Sequence, residues 1–370
     1  MSVMTGVRRG TKTLGEFLWP SRAEDRSIPV LDGGLSPNDA LDGFSQIWQS
    51  AQEPDDIAAV GGRLVVSSGS SLELIDPSGR HEAAVLELPE RVGALAAGGS
   101  ALLYAVTIDG PIYEVTVAAD ALQVSAELPG GLACPTAAVF DNGSLLVAVG
   151  STTHAPDEWS RDLMTKGRTG QVIEVAVPSG TQRVIADNLA WAGGVVATAG
   201  GSLLVSETWR HRISRIDRAT GATTQLTRPL AGYPTRITAS TGDQVLVAFL
   251  SLRTHLVEFV LREDEFREEM MRTIAPEFWI APAHGTTGER WEPLQIGSIK
   301  HLNVTKPWAP PRAYGLVAAM DAGGDFLTSW HARVGSPRSG VTGVALLDGH
   351  PAVVSRGSRS VLIEEGVEQR

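Results

Sequence analysis

A turn of small residues followed by an apolar run ending in Ser, Thr or Gly returns six times along this 370-residue chain. The copies are GRLVVSSG from Gly62, SALLYAVT from Ser100, GSLLVAVG from Gly143, GSLLVSET from Gly201, DQVLVAFL from Asp243 and HPAVVSRG from His350. Most are followed by a second run, such as SLELID from Ser71, QVIEVAV from Gln171 or RISRID from Arg212. Most are also preceded by one, such as DDIAAV from Asp55, VGALAAG from Val92 or GVTGVAL from Gly340. Short Val/Leu/Ala runs between Gly and Ser turns read as strands. Their continuous apolar character means that both faces of each sheet are covered. Six strand-strand-strand units spaced by about 40 residues predict an all-β chain, a six-bladed β-propeller whose sheets pack face to face in a ring. Forty glycines suit the tight turns and crowded inner strands of such a ring.

Two regions break the repeat. Residues 1–50 mix charge, Pro and Gly, with one short helix expected near Phe44 to Gln49. They read as an N-terminal extension that packs over the propeller of residues 51–370 or helps to close it. Residues 263–312 interrupt the fifth unit. They begin EDEFREEMMRTIAPEFW, which places Phe266, Met270 and Ile274 on one helical face before Pro276 ends the helix. The loop that follows holds Trp279, His284, Trp291, His301 and Trp308, and the fifth unit resumes at Tyr314. A long insertion of this kind reads as a lid over a site.

Charge and cysteine usage exclude several classes. The net charge of −11 and pI of about 5.3 argue against nucleic acid or an anionic membrane as partner. The single cysteine, Cys134, rules out an internal disulfide and suits a reducing compartment, with a core position expected for it. No apolar stretch approaches the roughly 18–20 residues of a membrane span. The Arg pair near the start has no apolar run after it, so no export signal is expected and a cytoplasmic location is the default. Oligomeric state is left open.

Several segments carry a family resemblance. LLVSETWRHRISRI from Leu203, LAGYPTRI from Leu230, GQVIEV from Gly170 and LAWAGGV from Leu189 are joined by the run from Tyr314 to His331 and by GVTGVALLDGH from Gly340. Together they resemble the strictosidine synthase-like family, with the calcium-dependent lactonases of paraoxonase and gluconolactonase type as more distant relatives. The resemblance spans residues 53–366. It implies a six-bladed propeller with a site at one mouth of the central channel. In the lactonases it implies a cation on the channel axis, held by a first-blade carboxylate and by Asn or Asp from later inner strands. The matching positions here are Asp55, Thr136, Gly193 and the pair Thr235-Arg236. A hard cation requires several oxygens, and a guanidinium repels it, so no Ca²⁺ and no other cofactor is expected. Thr342 stands where the plant synthase has its proton-transfer Glu, so that reaction is not expected either.

The remaining candidates each admit two readings. Glu207 is a mouth-facing acid, or a structural group pairing Arg210 or Arg212. Asp55, with Asp56 beside it, begins the first inner strand. Facing Arg236 it would form an ion pair that replaces the cation, or that anchors a polar substrate. His154, on a mouth-side loop, is a general base or simply an exposed residue. Tyr233 and Trp191 wall a pocket or fill the space between blades, with Thr136 and Thr342 completing the substrate-binding set. His211 and His255 are placed at strand starts as surface or packing residues, and Trp330 and His331 at the outer edge of the fifth blade. There is no G-x-S-x-G elbow, zinc spacing, P-loop or dinucleotide fingerprint. The expected function is a metal-independent hydrolase or lyase acting on a small lactone, ester or cyclic metabolite, with Asp55, Glu207 or His154 as acid or base. The alternatives are a non-catalytic small-molecule-binding or protein-interaction propeller, and a Ca²⁺-dependent lactonase. An enzyme requires two titratable groups converging in one pocket.

Overall fold

A computed structural model describes residues 28–77, 84–285, 300–301, 304–305 and 312–364. Trp291 and Trp308 lie outside the described residues, and of His301 only the backbone is described. The described residues form six four-stranded antiparallel sheets and one short two-stranded ribbon. The inner strands are Ile57–Val60, Val92–Ala97, Pro135–Asp141, Ala192–Ala197, Gly232–Ala239 and Val341–Leu347, in blades one to six. Each touches the next, and the last touches the first, closing a six-bladed propeller. The recurrent apolar runs are the second strands of the six blades, from Arg63–Ser68 in the first to His350–Ser355 in the last.

Every blade also has a fourth, outermost strand that the repeat did not reveal. Leu122–Leu128 and Thr223–Gln225 are mostly exposed and lack an apolar run, because only one side of an outer strand has a neighbour to pack against. Between blades the apolar faces interlock, as where Val106 and Ile112 of blade two meet Leu145, Val147 and Val149 of blade three. Each such fully buried side chain contributes about 1.5–3 kcal/mol. Cys134 is buried in the same cluster, and burial pushes its thiol up to about 12.

The helix expected near Phe44 to Gln49 is instead a strand. Ser45–Gln49 pairs antiparallel with Ser360–Ile363 and is the outermost strand of blade six. The unpaired edge of Ser360–Ile363 offers a ladder of hydrogen bonds, which five residues of helix cannot match. Leu41 and Phe44 drop into the core between blades five and six. Arg338 Nη1 fixes the approach by donating to the carbonyls of Leu41, Asp42 and Phe44 at 2.8, 2.7 and 2.7 Å.

Blade five is interrupted between its second strand, Val245–Leu252, and its third, Leu316–Met320. The insertion opens with two helices, His255–Arg262 and Asp264–Thr273. His255 therefore begins a helix, not a strand, where Thr254 caps it by accepting from the Val257 amide. The buried face of the second helix also differs from expectation. Met270 is buried, but Phe266 and Ile274 are 48% and 42% exposed, and Arg267 takes an inward place. The helix packs sideways onto Val260, Leu163, Met164 and Trp279, which turns its face by about one residue. No helix among the described residues is long and apolar enough to cross a membrane.

His331 closes the outer strand of blade five, fully buried, with Nδ1 3.1 Å from the Tyr314 hydroxyl and Nε2 3.0 Å from Ser329 Oγ. Burial pushes its pKa down to about 4 from 6.5. On acidification the unfolded chain takes up this proton first. The group's support for the fold is therefore complete above pH 6.5 and is lost as the pH falls towards 4. Urea midpoints are expected to fall between pH 7 and 5. His331→Gln should flatten that dependence by up to about 1.4 kcal/mol per pH unit. A variant with the wild-type slope would contradict this account.

Candidate functional site

Five of the six inner strands slip out of register at their first residues. The slips fall between Val92 and Ala94, Pro135 and Ala137, Ala192 and Gly194, Gly232 and Ile237, and Val341 and Gly343. A bulge takes a residue off the ladder and re-aims it. The residues so released include Gly93, Thr136, Gly193, Thr235, Arg236 and Thr342, and all six line a cavity of about 350 Å³ at this end of the channel. Blade one, which has no bulge, supplies Asp55 from just before its inner strand. Hydroxyl groups hold the bulges in place. Thr136 Oγ1 donates to the Ala192 carbonyl at 2.5 Å, Ser206 Oγ to Thr235 at 2.6 Å and Thr208 Oγ1 to Pro234 at 2.8 Å. A Cβ on Gly193 would lie 2.4 Å from Thr208 Oγ1, so a side chain at that position would displace the hydroxyl from its bond to Pro234.

Arg236 fills the middle of this end of the channel. Its Nη2 donates to Asp55 Oδ2 at 2.7 Å and to the Gly93 carbonyl at 3.0 Å. Its Nη1 donates to the carbonyls of Asp55 and Thr342, both at 2.9 Å. Nε lies 3.1 Å from Asp56 Oδ1, close enough for an ion pair but without hydrogen-bond alignment. One guanidinium from blade five thus ties together blades one, two and six. Arg356 completes the arrangement by donating from Nη2 to Asp55 Oδ1 at 2.6 Å. Burial works against the charge on Asp55, but Arg236 and Arg356 outweigh it and hold the carboxyl well below the usual range. For Asp56 burial wins and pushes the pKa up to about 6, despite Arg236 and despite amide donors from Ile57 and Leu95 at 2.8 Å.

These residues do not fit a divalent cation on the axis. Such an ion needs several oxygens, carboxylates among them. Here the Asp55 carboxylate and the Gly93 and Thr342 carbonyls already serve Arg236 and Arg356. Among the described residues no three His, Cys, Asp or Glu side chains come together to hold a metal.

The rim of the cavity is built from the loop after the second strand of every blade. These loops contribute Gly69, Ile108, Trp159, Trp209, His284 and Arg356, in blades one to six. Trp191, Trp209 and Trp159 form a continuous aromatic wall, with centroids 5.4 and 6.3 Å apart in sequence along it. Trp191 adopts a left-handed φ of 55°, uncommon for a bulky residue, and its indole packs against Trp209 in return. His284 comes from the inserted segment and meets Trp159 edge to face at 5.3 Å. Burial, with Arg356 nearby, holds its pKa well below the ordinary value, so the imidazole is neutral at pH 7. Its Nδ1 has no partner among the described residues. Three carboxylates on the wall (Glu53, Asp55, Asp157) balance three guanidiniums (Arg91, Arg236, Arg356).

The residues singled out from sequence separate into two groups. Asp55, Thr136, Trp191, Arg236 and Thr342 line the cavity; Glu207, His154 and Tyr233 do not. Glu207 is fully buried and binds Arg212 through Nε and Nη2 at 2.8 and 2.6 Å, Ser214 Oγ at 2.7 Å, and Arg210. It is an anchor for the blade-four rim loop, and its oxygens do not face the cavity. His154 Nδ1 lies 3.0 Å from Asp162 Oδ2, while Asp162 Oδ1 accepts from Trp209 Nε1 at 2.8 Å. The histidine therefore buttresses the aromatic wall from behind. Tyr233 is fully buried beneath the inserted helices, 4.8 Å from the ring of His211, so it is a core residue and not a pocket wall. His284, Arg356, Trp159 and Trp209 were not among the sequence candidates. The repeat held a signal for two of them, since Arg356 and Trp209 lie one and two residues beyond the ends of second strands.

Arg236→Met should strand the Asp55 and Asp56 carboxylates and the three carbonyls of Asp55, Gly93 and Thr342. A loss of about 3–5 kcal/mol is expected, read as a lower urea midpoint. Neither Ca²⁺ nor EDTA should shift the wild-type midpoint. A variant as stable as wild type, or a chelator-sensitive wild type, would overturn this reading of the axis.

No known family model matches the chain, and no curated protein is significantly similar to it in sequence. Solved structures do share the fold. A calcium-binding protein, regucalcin from Agrobacterium tumefaciens, superposes with a TM-score of 0.51 at 12% identity, over 86% of this chain and 93% of that one. A luciferin-regenerating enzyme superposes with a TM-score of 0.51 at 12% identity, over 88% of this chain and 95% of that one. At such identity the likeness establishes the six-bladed propeller and nothing finer.

Proposed function

We propose that this propeller binds a small, uncharged organic molecule with an aromatic or cyclic body in the axial cavity, without a metal and without turnover. The observation that carries the reading is the failure of the acid and base candidates to converge. Glu207 and His154 face other partners, and Asp55 is engaged by two guanidiniums. What remains is an aromatic wall over a floor locked by ion pairs. Balanced wall charges favour a neutral ligand, which can stack on Trp159 and Trp209 and reach His284 or Thr342 with one polar end.

A second reading has one specific observation behind it. His284 is a neutral imidazole on the cavity wall, the state a general base requires. On that reading the protein is a metal-independent hydrolase or lyase, and the inserted segment is both lid and source of the base.

One experiment separates the two. Neutral lactones, esters and heteroaromatics are titrated into the purified chain with EDTA present, followed by thermal shift and by chromatography of the recovered ligand. Saturable binding with the ligand recovered intact is expected, weakened about tenfold or more by Trp159→Ala. Product formation that disappears in His284→Ala would establish the enzyme instead. No binding from any class would remove both readings.

A further inference from the structure

A second cavity of about 380 Å³ lies beside the first and shares the Trp209 indole with it. It is bounded by the loop Lys166 to Arg168, the rim loop Arg210 to Arg212 and the helix His255–Arg262. Its wall carries Lys166, Arg168, Arg210, Arg212 and Arg262 against the single carboxylate of Glu258. That is a concentration of positive charge in a chain whose net charge is −11.

Ion pairing around the cavity does not remove the excess. Arg210 and Arg212 share one partner, Glu207. Lys166 meets Asp264 at 2.9 Å, and Glu258 meets Arg253 at 2.9 Å. Asp264 is shared in turn with Arg267 at 2.6 Å. Lys166, Arg168, Arg210, Arg212 and Arg267 therefore face three carboxylates, Glu207, Glu258 and Asp264. His211 adds a buried imidazole to the wall, neutral because burial, with Arg253 nearby, holds its pKa well below the ordinary value. Its Nδ1 has no partner among the described residues.

We infer that this cavity is a binding site for a small organic oxyanion, a metabolite carrying phosphate or clustered carboxylates. Guanidinium forks match the paired oxygens of either group. Water-exposed cations repel one another across a cavity, and a multivalent anion relieves that repulsion. The volume falls in the range of organic ligand sites. The site is separate from the axial cavity, whose wall charges balance, and does not depend on what binds there.

The test is calorimetric titration of the full chain with pyrophosphate and with citrate, at fixed ionic strength set by chloride. One-to-one saturable binding is expected. Arg168 and Arg262 are exposed, so Arg168→Glu and Arg262→Glu should each fold and weaken binding about tenfold or more. Arg168→Gln should weaken it less. Arg272→Glu makes the same charge change on the neighbouring helix, outside the cavity, and should leave binding intact. Tighter pyrophosphate assigns the site to phosphate, and tighter citrate to carboxylate; either sustains the oxyanion. Absence of saturable heat with both probes, or equal weakening by Arg272→Glu, would overturn the inference.

Discussion

The Arg236–Asp55 pair is the interaction on which the channel end depends. A propeller leaves the mouth-side ends of six inner strands facing one another, with backbone carbonyls that lack ladder partners at the bulges. Something with many donors must sit among them. In this chain it is a guanidinium reaching from blade five to the carbonyls of Asp55, Gly93 and Thr342. A metal ion solves the same problem with positive charge and radial coordination. Arg236 solves it with directional bonds, and Asp55 supplies the counter-charge. The arrangement is self-consistent: Gly193 leaves room for the Thr208 hydroxyl, and the Thr136 and Thr235 hydroxyls donate to backbone carbonyls.

Much of the ring was legible in the sequence because its strongest signal is repetitive. Six buried second strands read as six apolar runs, whichever face each residue presents. The outer strands were not legible, since exposure removes the pattern that would mark them. Ser45–Gln49 shows the limit well. Its residues favour neither helix nor strand strongly, and its state is decided by an edge more than 300 residues away, which no local window contains. The shifted face of Asp264–Thr273 has the same origin, as the helix packs on Val260 of the other inserted helix and on Leu163 and Met164 of the blade-three rim, about 100 residues earlier in the chain.

The site was legible where it follows from inner-strand position and illegible where it follows from loops. Asp55, Thr136, Arg236 and Thr342 stand at the mouth-side ends of the inner strands of blades one, three, five and six, so the repeat that locates those strands locates them. Glu207 belongs to a well-marked segment, yet the marking reflects its hold on Arg210, Arg212 and Ser214. A carboxylate that organises a loop and one that transfers a proton look alike in sequence; only the partners distinguish them. His284 shows the converse, a wall residue placed by a long insertion whose path the sequence does not encode locally.

The borrowed outer strand of blade six has a consequence for biogenesis. As the chain leaves the ribosome, Ser45–Gln49 emerges early and its pairing partner, Ser360–Ile363, among the last residues described. Until then blade one and blade five each expose an apolar flank that only blade six covers. Five blades can stack in order as they are made, but the ring stays open, and such flanks are sticky while it does. Closure is then a single late event joining two segments more than 300 residues apart, the long-range kind of contact that slows folding. The propeller resembles a belt more than a stack, with little holding until the buckle is fastened.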